Sequence, residues 1–527
     1  MSARKTFGGI VAGTLATAAV FAGAAPSYAV YTADPDDVLP TGSSDLIGAG
    51  SDTTQHAMKL IADGWNASLP APEFGIASIA ATTGGGATPG DGSSTVPFLG
   101  GEISRPNGST AGKSLLYGAN ENAEIDFARS SSGLKDAEKD AGLQLLPFAV
   151  DALKMAVSNE VASHAPASLT IDDLVKIYDG TYTNWSQVGG TAGTIVPMLP
   201  QDGSGTLSFF TDQLKAANGG TAVTLAPSVV RVQEHDDTEI KGNANAIAPF
   251  SVGRAGLLDD TVDLLDGFSA QRALYNVVRA DDLEDADIQT VFGPEGFVCS
   301  DQGGLLIAEA GFQQLASEAD GGECGVATQA STSNFATSGA KSPIATSVAL
   351  KGTSKAARKA VLSAVVSGST KPDGTVTFLE GDDVVAEDVP LIGGTATASL
   401  TGLAPGKHTY TAVYAPVVGS LFQASEDDGK VTVKTTAAIS ETFPAKVAKG
   451  KKAKGVVAVA LKGVAAKATG KVTVLKGAKK VGTAKLVKGK ATLTLAKLAK
   501  GKNKLTITWG GNAAGVAAKK KFTITQR

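Results

Sequence analysis

The stretch Val196-Pro197-Met198-Leu199-Pro200-Gln201-Asp202-Gly203-Ser204-Gly205-Thr206-Leu207-Ser208-Phe209-Phe210 reads as strand, loop and helix in succession. The apolar run from Ile195 to Leu199 has strand length, and the Asp-Gly-Ser-Gly-Thr loop after it opens a helix with Leu207, Phe210 and Leu214 at helical spacing. Glycine lets a ligand approach the main chain closely. The first helical turn adds unpaired N–H groups at the positive end of the dipole. With the hydroxyls of Ser204 and Thr206 beside them, these groups make an anion site. Taken alone, the loop is also what a capped helix after a glycine turn looks like. Three further loops of the same make, all upstream, give the pattern its weight.

The first of these follows the strand at Leu46, where Gly50, Ser51, Asp52 and Thr53 lead into a helix with Ala57, Met58, Ile61 and Trp65 on one face. The second is the turn from Arg105 to Gly112, which holds Ser109. The third ends the strand from Glu124 to Arg129 and supplies Ser130, Ser131 and Ser132. Leu143 to Val157 is apolar for most of its length and suits a buried strand, or a pair, passing between lobes. Leu169 to Tyr178 is an amphipathic helix capped by Thr170, and a further helix is expected from Gly303 to Leu315. A polar knot, Glu234-His235-Asp236-Asp237, follows the strand at Val229 to Val232. Strands that alternate with helices predict an α/β class with largely parallel sheets. A span of roughly 290 residues is large for one core, so two lobes are expected. Ligands in such folds sit beyond the carboxyl ends of strands, where all four loops fall.

The whole chain has 527 residues, enough for several domains. Residues 1–29 read as a secretory signal peptide: Arg4 and Lys5, an apolar run from Gly8 to about Ala25, and the cleavage pattern Ser27-Tyr28-Ala29. No cysteine follows that run, and no later stretch is apolar for long enough to span a membrane, so a secreted, extracellular protein without a lipid anchor is expected. The chain's two cysteines, Cys299 and Cys324, flank one helix and suit a structural disulfide, contributing about 3 kcal/mol. Two thiols without nearby histidines make a poor metal site, and no cofactor is expected. Of the 47 Lys and Arg and 51 Asp and Glu, 22 and one respectively lie from Thr436 onward, which leaves 25 basic and 50 acidic residues before it. An acidic body is joined to a very basic tail.

From Thr328 the composition shifts to Ser, Thr, Ala and Gly, a linker expected over 328–345. Beyond it helical periodicity gives way to short alternating strands in two copies. Gly374-Thr375-Val376-Thr377-Phe378-Leu379 matches Gly470-Lys471-Val472-Thr473-Val474-Leu475, and the segment from Gly394 through His408 to Tyr414 matches that from Gly489 through Asn503 to Trp509. An offset of about 95 residues is that of an immunoglobulin-like sandwich. Two all-β Ig-like domains are therefore expected, at 346–435 and at 436–527, the second rich in lysine.

The region before them, 40–327, resembles the periplasmic phosphate-binding proteins of ABC uptake systems, and more narrowly an actinobacterial secreted branch of that superfamily. The resemblance is carried by Gly48-Ala49-Gly50, Asp126-Phe127-Ala128-Arg129-Ser130, the Leu169 to Trp185 segment and Asp202-Gly203-Ser204-Gly205-Thr206. It implies a type II binding-protein fold, two α/β lobes that close on a ligand by hinge bending, with no chemical step, so no enzyme is expected. Carried over, Ser204, Gly205 and Thr206 donate to phosphate oxygens, as do Thr53 and Ser109. The chain departs from the pattern at two places: the family's proton-accepting carboxylate falls on Ser131, and its arginine before the loop falls on Pro200. Arg129 and Asp52 suggest that cation and acceptor have exchanged sides, with Arg129 neutralising the anion and Asp52 accepting from its protonated oxygen. The candidate ligand set is Ser51, Asp52, Thr53, Ser109, Arg129, Ser130, Ser131, Asp202, Ser204, Gly205, Thr206 and His235.

Two other readings compete. Asp202-Gly203-Ser204-Gly205 with His235 and Asp236 looks superficially like a serine hydrolase, but no G-x-S-x-G elbow is present. No Walker-type loop is present either. The second is a cell-wall adhesion protein whose binding domain is degenerate. The lysine excess predicts attraction to cell-wall polyanions, while the scarcity of aromatics among the lysines argues against specific nucleic-acid binding. The expected solution state is a monomer serving an ABC permease.

Overall fold

The computed structural model describes residues 33–68, 71–83, 88–89, 95–98 and 101–527. The signal peptide expected at 1–29 and part of the Gly/Ser-rich segment 82–101 lie outside the described residues. No helix among the described residues is long and apolar enough to cross a membrane. The chain divides into two compact units, one holding the chain to Ser342 with Val418–Leu421, the other Pro343–Val417 with Phe422–Arg527.

The first unit is built on one mixed sheet. Its principal strands are β1 (Leu46–Gly50), β2 (Ile76–Ile79), β3 (Phe127–Ser130), β4 (Leu143–Ser158), β5 (Val196–Pro200), β6 (Val230–Val232), β7 (Ala246–Ser251) and β8 (Ala270–Arg279), in the spatial order β6-β5-β7-β4-β8-β3-β1-β2. Parallel pairing holds at the two ends, β1 with β2 and β3, and β5 with β6 and β7. The middle is antiparallel, β4 with β7 and β8, and β8 with β3. The expectation of largely parallel sheets therefore holds lobe by lobe and fails where the lobes are joined. The joining strands run out and back between the lobes, so they lie antiparallel.

β4 has 16 residues and serves both lobes. Its first half, to Val150, packs with Leu46, Phe127, Val277 and Phe292 in the core of the first lobe. From Leu153 on, it packs with Leu174, Tyr178, Trp185 and Phe210 in the core of the second. Burial of the side chains in both cores, at about 25 cal/mol per Å² of apolar area, holds each lobe together. Four helices matter to the site. α1 (Gln55–Asn66) buries Ala57, Met58, Ile61 and Trp65, the face its spacing predicts. α2 is Ser109–Ser114. α3 (Ile171–Tyr178) starts at its cap Thr170, which accepts from Asp173 N–H, and buries Leu174, Ile177 and Tyr178. α4 (Gly205–Ala217) buries Phe210 and Leu214.

Two local expectations are corrected. The helix expected over Gly303 to Leu315 spans Asp301–Glu309. It stops because Gly311 turns left-handed at φ +86°, and Gln313–Gln314 then pairs with β4. The stretch expected as a linker, 328–345, is tied to the first unit as far as Lys341, whose Nζ pairs with Asp301 (2.6 Å). Thr328 bridges Leu145, Thr337 bridges Leu315, and Ser338 N–H donates to Gln314 O (3.0 Å). The sulfurs of Cys299 and Cys324 are bonded, closing 25 residues of sequence around the Asp301–Glu309 helix.

The second unit consists of two Ig-like sandwiches. The first pairs β9 (Thr346–Thr353), β10 (Lys359–Gly368) and β13 (Thr395–Thr401) in one sheet, and β12 (Asp383–Pro390), β11 (Gly374–Glu380), β14 (Gly406–Pro416) and β15 (Ser425–Val433) in the other. The second repeats that order with β16 (Ala437–Glu441), β17 (Lys454–Leu461) and β20 (Lys490–Thr494) against β19 (Lys479–Lys485), β18 (Lys471–Lys476), β21 (Gly501–Trp509) and β22 (Ala518–Gln526), and adds a short strand, Lys446–Val447, parallel to β22. The repeat extends to register: Val376 faces Tyr414 as Val472 faces Trp509. Each aromatic is buried and anchors its polar end on the preceding turn, Tyr414 Oη on Asp373 O (2.6 Å) and Trp509 Nε1 on Thr469 O (2.8 Å). β19 is a free edge of its sheet and carries Lys479, Lys480 and Lys485.

Candidate functional site

The four Gly/Ser loops follow β1, β3 and β5 or precede α2, and the polar knot follows β6, so all reach the facing carboxyl ends of the two lobes. Contact between the lobes is direct. Thr110 N–H donates to Gly203 O (3.0 Å), Gln201 Nε2 to Asn107 Oδ1 (2.9 Å), and Gln233 Nε2 to Asp52 Oδ2 (2.9 Å). A Cβ on Gly205 would lie 2.3 Å from Ser131 Oγ and 2.4 Å from Ser109 Oγ, so only a glycine lets α4 reach the opposite lobe.

At this junction five groups from distant parts of the chain meet, all buried. Thr53 Oγ1 lies 2.9 Å from Glu234 Oε1, 3.0 Å from His235 Nε2 and 3.2 Å from Ser131 Oγ. Its single proton goes to the carboxylate, the strongest acceptor of the three. Thr206 N–H, in the first turn of α4, donates to the same Glu234 oxygen at 3.2 Å. Thr206 Oγ1 accepts from Arg272 Nη1 at 2.7 Å, while Arg272 Nε and Nη2 donate to Asp151 Oδ2 at 3.1 and 2.9 Å. Arg272 and Asp151 face each other across β8 and β4, where the strands pass from one lobe to the other. Beside them opens a cavity of about 400 Å³ lined by Ser131, Lys135, Phe209, Arg272, Tyr275 and Phe335.

The electrostatics follow from burial. Asp52 is raised well above the usual carboxylate range, first by desolvation and then by the charge of Glu234, with which it shares a proton. Desolvation pushes Glu234 the same way, but hydrogen bonding to His235 and to Asp52, with Arg272 nearby, outweighs it and keeps Glu234 ionised. His235 is lowered by burial despite the pull of Glu234, which leaves the ring neutral. Its Nδ1 accepts from Ser251 N–H (3.5 Å), so Nε2 carries the hydrogen and donates toward Thr53 and Glu234.

Among the expected residues, Thr53, Ser131, Gly205, Thr206 and His235 come together, with Ser51 and Ser109 bonded to Ser131 (3.2 and 3.5 Å between hydroxyls). Asp52 is at the edge of the cluster, held by Gln233. Ser204 caps α4 by accepting from Leu207 N–H (2.9 Å). Three residues are corrected. Asp202 is turned outward with 92% of its side chain exposed, 3.5 Å from Arg231. Ser130 turns into its own loop, donating to Ser132 O (2.7 Å). Arg129 does not reach the cluster: Nε donates to Ser51 O (3.2 Å) and Nη1 to Ser78 Oγ (2.8 Å), behind the first loop. Its burial lowers its pKa to about 10, with Asp36, Asp37 and Asp52 acting on it from beyond contact distance. The cation of the cluster is Arg272 instead. Its only sequence signal, like that of Asp151, is a charge inside a largely apolar strand.

Residues 101–295 match the family model of a PBP superfamily domain. No curated protein matches the chain. Among solved structures, the chain is similar to an ABC-type phosphate transport receptor from Vibrio cholerae, at 23% identity over 51% of this chain and 99% of that one, with a TM-score of 0.35. It is likewise similar to PstS from Borrelia burgdorferi, at 19% identity over 51% and 98%, with a TM-score of 0.33. The sandwiches are similar to fibronectin(III)-like modules of CbhA from Clostridium thermocellum, at 17% identity over 34% of this chain and 94% of that one, with a TM-score of 0.22. Residues 101–295 of the two-lobed α/β unit, which include the joining strands β4 and β8, thus carry the match to a PBP superfamily domain.

Proposed function

We propose that the cleft between the lobes captures phosphate or a closely similar oxyanion. The observation that carries this reading is the convergence of Thr53 Oγ1 and the Thr206 N–H on one buried point, with Arg272 and Ser131 at its side. A tetrahedral anion entering there exchanges hydration for hydroxyls, a helix N-terminus and a guanidinium held in place by Asp151. The group these donors hold is itself an anion, the Glu234 carboxylate, so the point is built for negative charge. The reading extends to delivery of the anion to an ABC permease by a secreted protein, retained at the surface through the lysine-rich sandwich.

Calorimetric titration of the full chain with phosphate, sulfate and small carboxylates tests capture, the expected result being saturable phosphate binding with sulfate much weaker. Retention is tested by washing cells in rising salt. Protein released to the same extent at low and high salt would remove the electrostatic tether. One observation favours a second reading, the degenerate binding domain on an adhesion protein: Glu234 already fills the point where the anion would sit. An adhesion protein shows no heat with any small anion and keeps its affinity for polyanions.

A further inference from the structure

We propose that Glu234 is a built-in stand-in for the solute, a displaceable carboxylate that leaves the oxyanion point and moves toward Arg254 when a solute anion enters. The inference rests on the capture reading above and says how the site is regulated. Glu234 Oε1 takes one hydrogen bond from each lobe, Thr53 Oγ1 on one side and Thr206 N–H on the other. Those are the bonds a captured oxyanion would make in drawing the lobes together. Two anions do not share a buried point of this size, since neither could be hydrated and they repel at short range. One must go.

The structure shows where Glu234 can go. Behind it lies a second cavity of about 200 Å³, lined by Asp52, Glu234, His235, Lys241 and Arg254 among others. Arg254 Nε there is buried without a hydrogen-bond partner. A buried cationic donor left unpaired on the wall of a cavity that Glu234 also lines defines the second seat of the carboxylate. The loop that carries Glu234 is short, between β6 and the turn at Thr238–Lys241, and His235 within it holds a left-handed φ of 59°. A left-handed φ at a residue other than glycine is strained, so the loop is held in a conformation of raised energy while Glu234 occupies the point. Asp52, Glu234 and His235 also offer ligand atoms within 4.8 Å of one another, a spacing that suits a cation. His235 argues against it: with Nδ1 facing the Ser251 N–H, the nitrogen turned to the carboxylates is the protonated one.

A site filled by its own carboxylate nine-tenths of the time binds phosphate about tenfold more weakly than the open site. The test is calorimetry of the full chain with inorganic phosphate for the wild type, Glu234→Ala, Arg254→Ala and the double variant, with thermal melts to show that each is folded. Glu234→Ala is expected to tighten binding about tenfold or more. Arg254→Ala is expected to weaken the wild type several-fold and to leave the Glu234→Ala background unchanged, which is the coupling the second seat demands. Glu234→Gln, with the same shape but no charge, gives a smaller tightening and serves if the alanine variant does not fold. Phosphate affinity that is equal or weaker in Glu234→Ala overturns the proposal, because Glu234 is then part of the solute's own shell. Binding by Glu234→Ala but not by the wild type also overturns it, making Glu234 a fixed plug. If neither binds any oxyanion, the capture reading itself fails, a result distinct from both.

Discussion

At the scale of single residues, the proton on Asp52 makes a prediction with a definite sign. Its folded-state pKa is raised above that of the unfolded chain, first by burial and then by Glu234. The folded protein thus binds a proton that the unfolded chain has released. The stability this contributes is full below the ordinary carboxylate pKa and is lost as pH rises through the raised value. Glu234, held low, acts oppositely, its contribution being lost as pH falls through its depressed value. Thermal melts of the α/β unit across pH should show an alkaline decline that Asp52→Asn flattens, since an amide keeps the donor without a titrating proton. A decline that survives in Asp52→Asn would place the proton elsewhere. Residue scale is also where the sequence was least legible. Arg129 stands beside a motif and is spent on Ser51 O, whereas Arg272 reaches Thr206 through a strand pairing that local sequence does not encode. Glu234 reads as one acid in a polar knot, and only the closure of two lobes over it makes it a buried acceptor.

Elements were legible where local chemistry decides them. Ser204 caps α4, Thr170 caps α3, and the face Ala57, Met58, Ile61, Trp65 is buried, because caps and helical spacing act within a few residues. The direction of β4 and β8 was not, since apolar runs buried on both faces carry no sign of which way the partner strand runs. The N-terminus of α4 yields a test at this scale. Gly205→Ala sets a methyl within 2.4 Å of two serine hydroxyls on the opposite lobe, an overpacking cost of about 1–3 kcal/mol that falls on closure. Phosphate should bind about 5- to 150-fold more weakly, with the melting temperature of the α/β unit nearly unchanged. A titration indistinguishable from wild type would mean that the lobes do not close on this glycine.

For the whole molecule, the repeat of about 95 residues foretold two sandwiches of one topology, since a repeated sequence imposes a repeated strand order. The charge asymmetry was equally plain. With 25 basic and 50 acidic residues ahead of Thr436, the body repels the anion it is proposed to capture. The association rate for phosphate, followed by stopped-flow, should therefore rise with ionic strength as the repulsion is screened. A rate that falls with salt would reveal a positive funnel at the cleft. The lysine-studded strand β19 has a further consequence. Two copies meeting flank to flank by that strand bring ammonium against ammonium, so lateral stacking into a continuous ribbon is opposed at its first step. Copies of the chain at high local concentration can thus crowd against one another without seeding fibres.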